Sequence, residues 1–160
     1  MPLAAVSVLS LFLGPAAGLA QDAEKQAPQI TIESITVEPS SPAADTLCKL
    51  NVTLQNHGSE IASQLDFKVK INDQALPVYR NQIFMFPVPA GETAEIKLYN
   101  FWSTETSRPM PSSGKLEVEV TLVAAQWTQI SMEEETEVWA PLGEVAGLPQ
   151  SKTVTLDMKP

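Results

Sequence analysis

The chain has 160 residues, a formal net charge of −9 and a single cysteine, Cys48. That length suits one domain, and a domain of this size buries about 68% of the surface its unfolded chain exposes, enough to fold without covalent staples. One cysteine excludes an intramolecular disulfide, and the acidic balance argues against nucleic-acid backbones and anionic membrane surfaces, which attract clusters of Lys and Arg.

The first stretch differs from everything after it. Leu3 to Leu13 is a nearly continuous apolar run, broken by Gly14-Pro15 and followed by Ala16-Ala17-Gly18-Leu19-Ala20, with the first charged side chain at Asp22. Small residues stand where a signal peptidase pocket must accept them. The layout predicts a secretory signal peptide over 1–20, cleaved after Ala20, and therefore an exported protein of the periplasm, cell surface or extracellular space. The run is too short for a permanent bilayer span, which needs about 20 residues, so no stable membrane insertion is expected after cleavage. The usual cationic lead-in is missing, so either the α-amino group serves alone or the true start lies upstream. A buried N-terminal helix is the competing reading of the same residues. No cysteine sits near the cleavage point to take an acyl-lipid anchor.

Residues 21–28 (Gln-Asp-Ala-Glu-Lys-Gln-Ala-Pro) are polar and read as a flexible leader, leaving 29–160 for the folded domain. Gln29 to Val37 is the first expected strand. Its apolar positions Ile30 and Ile32 fall out of phase with Ile35 and Val37, which predicts a bulge near Glu33-Ser34. Pro39 and Pro42 end it. Leu47 to Gln55 alternates without a break, with Cys48, Leu50, Val52 and Leu54 on one face. Asn56-His57-Gly58-Ser59 supplies a turn, and Leu65, Phe67, Val69 and Ile71 form the next inward row. The two rows read as a hairpin-like pair.

Short strands are expected at 76–80 and 82–86, separated by prolines. The Pro89-Ala90-Gly91-Glu92 turn leads into Thr93 to Trp102, and 103–114 reads as a loop. Lys115 to Ala125 alternates strongly, with Leu116, Val118, Val120 and Leu122 inside. Gln126 to Gln150 contains Glu133-Glu134-Glu135 between Trp127 and Trp139 and reads as either a long loop or a hairpin. Ser151 to Lys159 closes the chain as a strand with Val154, Leu156 and Met158 inward. No part of 21–160 shows sustained helical periodicity. About seven short strands with frequent turn signals predict an all-β, immunoglobulin-like antiparallel β-sandwich, preceded by the signal peptide.

Several segments together resemble the CARDB (cell-adhesion-related) domains of bacterial and archaeal surface proteins. They are Pro39 and Pro42 ahead of a strand, Val52-Thr53-Leu54-Gln55-Asn56-His57-Gly58, Ala62, and Phe67 to Asp73. Val88 to Ile96 resembles that family's Gly-centred turn into a strand, and Ser113 to Val120 its Gly-led penultimate strand. The resemblance covers 35–125 and implies an immunoglobulin- or fibronectin-like sandwich that binds a protein or a surface ligand. Beyond Ala125 the chain departs from that pattern, since 126–150 replaces a short acidic turn, and the resemblance carries no site residues with it.

Residues that could bear chemistry are few. His57 is the only histidine and would have to serve any triad or dyad, with Ser59 or Cys48 as nucleophile. It sits in an Asn-x-Gly turn, where a polar residue is expected on structural grounds, and no Gly-x-Ser-x-Gly elbow is present. Cys48 shares the face of Leu50, Val52 and Leu54 and reads as a buried small hydrophobe, because reactive thiolates need an exposed, electropositive setting. One His, one Cys and five Met residues, scattered, do not make a soft-metal site. Glu133, Glu134, Glu135 and Glu137 could attract Ca²⁺, but neighbouring carboxylates rarely converge on one ion, and a solvated acidic loop is the favoured reading. No cofactor is expected.

The aromatic residues offer an interaction surface: Phe84 and Phe86 around Met85, with Trp127 and Trp139 bracketing the acidic segment. Exposed Trp, Phe and Met anchor interfaces, whereas the blander reading has them fill the ends of the core. An edge strand open to β-augmentation is a related option. The residues therefore point to an exported, non-enzymatic interaction or scaffold module whose partner is another envelope or extracellular protein. One alternative is a subunit or inhibitor of a single envelope protein, with Trp127 to Trp139 as contact. A second is a small exported enzyme or metal-binding protein that uses scattered carboxylates.

Overall fold

A computed structural model describes residues 28–72, 74–75, 83–102 and 114–160, and of 74–75, 83–84 and 99–102 the backbone alone. The expected signal peptide, the leader up to Ala27, the strand at 76–80 and most of the loop at 103–114 lie outside the described residues. Within them the protein is all-β. Its strands are β1 (Ile30–Glu38), β2 (Leu47–Asn56), β3 (Ile61–Ile71), β4 (Gln74–Ala75), β5 (Ile83–Phe84), β6 (Thr93–Trp102), β7 (Lys115–Glu133), β8 (Thr136–Glu144) and β9 (Gln150–Asp157). Seven of them are eight residues or longer.

Two antiparallel sheets form the sandwich. One runs β1-β2-β6. In the other, β3 and β7 are central; β4 and β5 line the outer side of β3, while β8 and β9 pair with β7. The arrangement is immunoglobulin-like, with the chain crossing between sheets after β2.

That crossing corrects one expectation. The inward rows of β2 and β3 are not paired as a hairpin; they belong to different sheets and face each other across the core. Alternation reports which face of a strand is buried, not which strand lies beside it. The corner itself is built by Asn56, which is fully buried at the end of β2. Its Nδ2 donates to the carbonyl oxygens of Glu60 (2.8 Å) and Val88 (2.9 Å), and its Oδ1 accepts from the Gly58 N–H (2.8 Å). The Asn56 backbone N–H donates to the Glu92 carbonyl oxygen, and Ala62 and Val88 exchange backbone bonds. One side chain thus ties the corner to the 88–92 segment and turns the chain out of its own sheet. Gly58 is required by packing: a Cβ there would lie 2.5 Å from Cη2 of Trp127.

The core fills the space between the sheets with the rows the alternation predicts. Ile30, Ile32, Ile35 and Val37 come from β1, and Cys48, Leu50, Val52 and Leu54 from β2. Leu65, Phe67, Val69 and Ile71 come from β3, Ile96 and Leu98 from β6, and Leu116, Val118, Val120 and Leu122 from β7. Val154 and Leu156 of β9 pack against them, and Met158 closes that end. Each fully buried Leu, Ile or Val contributes about 1.5–3 kcal/mol relative to exposure. The expected bulge in β1 is present, between Ile32 and Ser34. The Lys152 ammonium caps it from the opposite sheet, donating to the Glu33 carbonyl oxygen at 2.6 Å.

β7 runs well past Ala125, and the segment 126–150 is a hairpin rather than a loop. β8 returns along β7 from Thr136↔Glu133 to Glu144↔Gln126, and after a short link β9 continues down the same edge from Gln150↔Leu122. In the link, Val145 is buried and its N–H donates to the Ala125 carbonyl oxygen. β3 pairs with β7 no further than Ile61↔Thr128. Beyond that rung β7 and β8 have only each other among the described strands. Five further residues of β7, Gln129 to Glu133, carry the ribbon about 15 Å past the sheet.

Candidate functional site: a β-ribbon arm

The residues put forward from sequence as an interaction surface fall on two stretches, 84–86 beside β3 and the β7–β8 ribbon. The Phe84 backbone pairs with Leu65 in β5, and its side chain lies outside the described residues. Met85 and Phe86, 55% and 43% exposed, lie on the irregular stretch before Val88. Trp127 and Trp139 share the β7–β8 ribbon but do different work. Trp127, opposite Gly143, packs against the core and roofs Gly58. Trp139 stands opposite Ile130, three residues further along β7 than Trp127, so alternation puts the two indoles on opposite faces. For Trp127 the reading as filler of the core's end holds. Among the described residues Trp139 does not pack against the core.

The arm begins where the hydroxyls of Ser63 and Thr128, both buried, hydrogen-bond diagonally between the last rungs shared with β3, Ser63↔Gln126 and Ile61↔Thr128. On the face of Thr128, alternation then sets Ile130 with Trp139, and Met132 with Glu137. Met132 is 65% exposed and Leu142, the extra residue at the bulge beside Trp127 and Thr128, is 53% exposed. The Trp139 indole N–H donates to Glu137 Oε2 at 3.2 Å. Ile130, Met132 and Leu142 were not distinguished by the sequence, because their faces depend on a register that only the hairpin defines.

The tip is a two-residue turn, Glu134-Glu135, with φ of +48° and +66°. Two successive left-handed residues make a type I′ turn, which strongly favours Asn-Gly or Gly-Gly. Side chains with a Cβ are strained there by about 1–2 kcal/mol per residue. Glu133, Glu134, Glu135, Glu137 and Glu144 are all exposed, and no Lys or Arg occurs between 126 and 150. The ion pairs formed among the described residues, Lys70–Glu119 and Lys115–Asp157, lie on the body. The arm is therefore an anionic ribbon with an apolar face.

The other chemistry weighed from sequence takes a structural form. His57 Nε2 lies 2.9 Å from Thr31 Oγ1, and Thr31 donates to Glu33 Oε1 at 2.7 Å. With the Thr31 proton committed to Glu33, the imidazole donates to Thr31 and is not placed as its base. Cys48 lies at the opposite end of β2 from His57, and its thiol donates to the Thr46 carbonyl oxygen. It is fully buried, and burial pushes its pKa up, the reverse of what a nucleophilic thiolate needs. Among the described residues no group of three or more His, Cys, Asp or Glu side chains is arranged to hold a metal ion. No helix among them is long and apolar enough to cross a membrane.

No protein-family model matches the chain, and no curated protein matches it.

Proposed function

We propose that the protein is an exported, non-catalytic interaction module, similar in plan to the CARDB domains, that presents the β7–β8 arm to another envelope or extracellular protein. The observation that carries this reading is the arm itself. A two-stranded ribbon standing alone is marginal in water, yet β7 continues past its last β3 partner and keeps Met132 and Leu142 in solvent. Residues that serve stability would be turned inward, as they are along the other half of the same strand. Export is supported by the composition of residues 1–20, an apolar run with small residues before Asp22.

The reading is tested by cross-linking in the source cells and recovery of the tagged full chain, followed by identification of what is attached. One abundant, reproducible protein is the expected result. A chain recovered without any attached protein would overturn the reading and direct attention to glycans and small envelope ligands.

A further inference from the structure

We propose that the arm docks by its side chains into an apolar cleft bordered by Lys and Arg on a single partner protein, with Trp139 as the anchor and Ile130 and Met132 beside it. The inference rests on the interaction-module reading and adds the chemistry of the partner.

Charge selects the partner. The ribbon carries five carboxylates: Glu137 and Glu144 share the face of the apolar strip, Glu134 and Glu135 form the turn at its end, and Glu133 lies on the reverse face, with no cation between 126 and 150. A cleft that takes the strip brings its rim close to these carboxylates; a cationic rim is attracted to them, a neutral rim gains nothing, and an acidic rim is repelled. A second copy of this chain, at −9 and with the same acidic arm, is a poor occupant. An anionic lipid surface is repelled for the same reason.

The edge selects the mode. The outer edge of β8 is unpaired among the described strands, which on its own would invite strand addition. Yet it contains Pro141, which has no N–H, and a bulge at Leu142, with Glu137 and Glu144 along it. These are the devices that blunt a sheet edge against further pairing. What remains is the face, where the half-buried Trp139 and Ile130 form a cross-strand pair with Met132 exposed next to it. Tryptophan combines a large apolar area with low conformational entropy, which suits it to anchor an interface.

The test places a photoreactive phenylalanine analogue at Met132, at Leu142 or, as a control on the body, at the exposed Lys97 of β6 in the full chain, irradiates the source cells, and sequences the cross-linked partner peptide. The expected result is an adduct of one fixed mass from Met132 and Leu142, none from Lys97, and a partner peptide containing Lys or Arg. The same adduct should fall about tenfold in yield in the Glu133→Lys/Glu134→Lys/Glu135→Lys background, because rim charge chiefly sets the rate of encounter. Adducts from Lys97 alone would overturn this inference while leaving the interaction-module reading intact. A partner peptide from a second copy, or an acidic peptide whose yield ignores the charge reversal, would overturn it too. Absence of adducts at all three positions would overturn both.

Discussion

The lower and upper halves of β7 make the most instructive comparison in this molecule. From Leu116 to Leu122 the strand lies between β3 and β9, and each inward side chain is fully buried against the facing sheet. From Gln129 to Glu133 the same strand has one neighbour among the described strands, β8, and none of its residues is among the described ones that form the core or pack against it. Alternation holds within each half, but an irregularity at Val123 reverses its phase: Leu122 and Ala125 both face the core, so Ile130 and Met132 lie on the face turned away from it. In the body the pattern stabilises the fold; in the arm it leaves an apolar strip for something outside the chain. Folding and recognition are thus divided along one continuous strand, with Trp127 on the folding side of the boundary and Trp139 beyond it.

The sharpest way to break this division is to compare equal truncations on the two sides. Leu50→Ala, in the centre of β2, removes side-chain volume at a fully buried position and should cost about 3–5 kcal/mol, read from the denaturant midpoint. A comparable loss on truncating an arm residue would erase the distinction. Next in size is Asn56→Ala. Three side-chain hydrogen bonds disappear and buried backbone groups of the corner lose their partners. A loss of about 3 kcal/mol follows, and a midpoint unchanged within error would show that the corner holds without Asn56.

How much of this was legible from sequence depends on what each signal reports. The inward rows of β2, β3, β7 and β9 and the bulge in β1 follow from period-two alternation, and they match residue by residue. The partner of each strand does not follow from it. For that reason β2 and β3 read as a hairpin although Asn56, a buried bolt to Glu60 and Val88, sends them into separate sheets. The arm was hidden for a different reason. Its turn is Glu134-Glu135 where a type I′ turn normally shows Asn-Gly, so 126–150 left loop and hairpin both open. The different fates of Trp127 and Trp139 rest on the β7–β8 register, which sets the indoles on opposite faces and which no local pattern contains. The acidic character of the segment, and the two tryptophans as its landmarks, were visible from the start.

Strain at the tip gives a gain rather than a loss. Glu134→Asn with Glu135→Gly relieves two left-handed residues and should stabilise the arm by about 1–2 kcal/mol. Slower amide exchange over Ile130–Met132 and Val138–Ala140 would report it. Unchanged exchange would mean that the turn is not what limits the ribbon.

The smallest effect concerns pH. Burial raises the Cys48 pKa above its ordinary 9.0, so the unfolded chain loses this proton before the folded one does. The stability linked to it is complete below pH 9.0 and declines as the pH rises through the folded value. Denaturant midpoints between neutral pH and strongly alkaline pH should therefore fall more steeply for the native chain than for Cys48→Ala. Parallel curves would show that the thiol takes no part in alkaline unfolding.

The central claim, that the end of the ribbon recognises and the body folds, is tested most directly by the amount of partner recovered per folded chain from cells carrying Trp139→Ala, with Trp127→Ala beside it. On the present account Trp139→Ala, which removes a half-buried ring and its cross-strand pair with Ile130, keeps its stability within about 1 kcal/mol of the native chain and loses the partner. Trp127→Ala lowers the midpoint because its ring packs against the core over Gly58. A Trp139→Ala chain that recovers the partner in full, or that unfolds as readily as Trp127→Ala, would contradict the account.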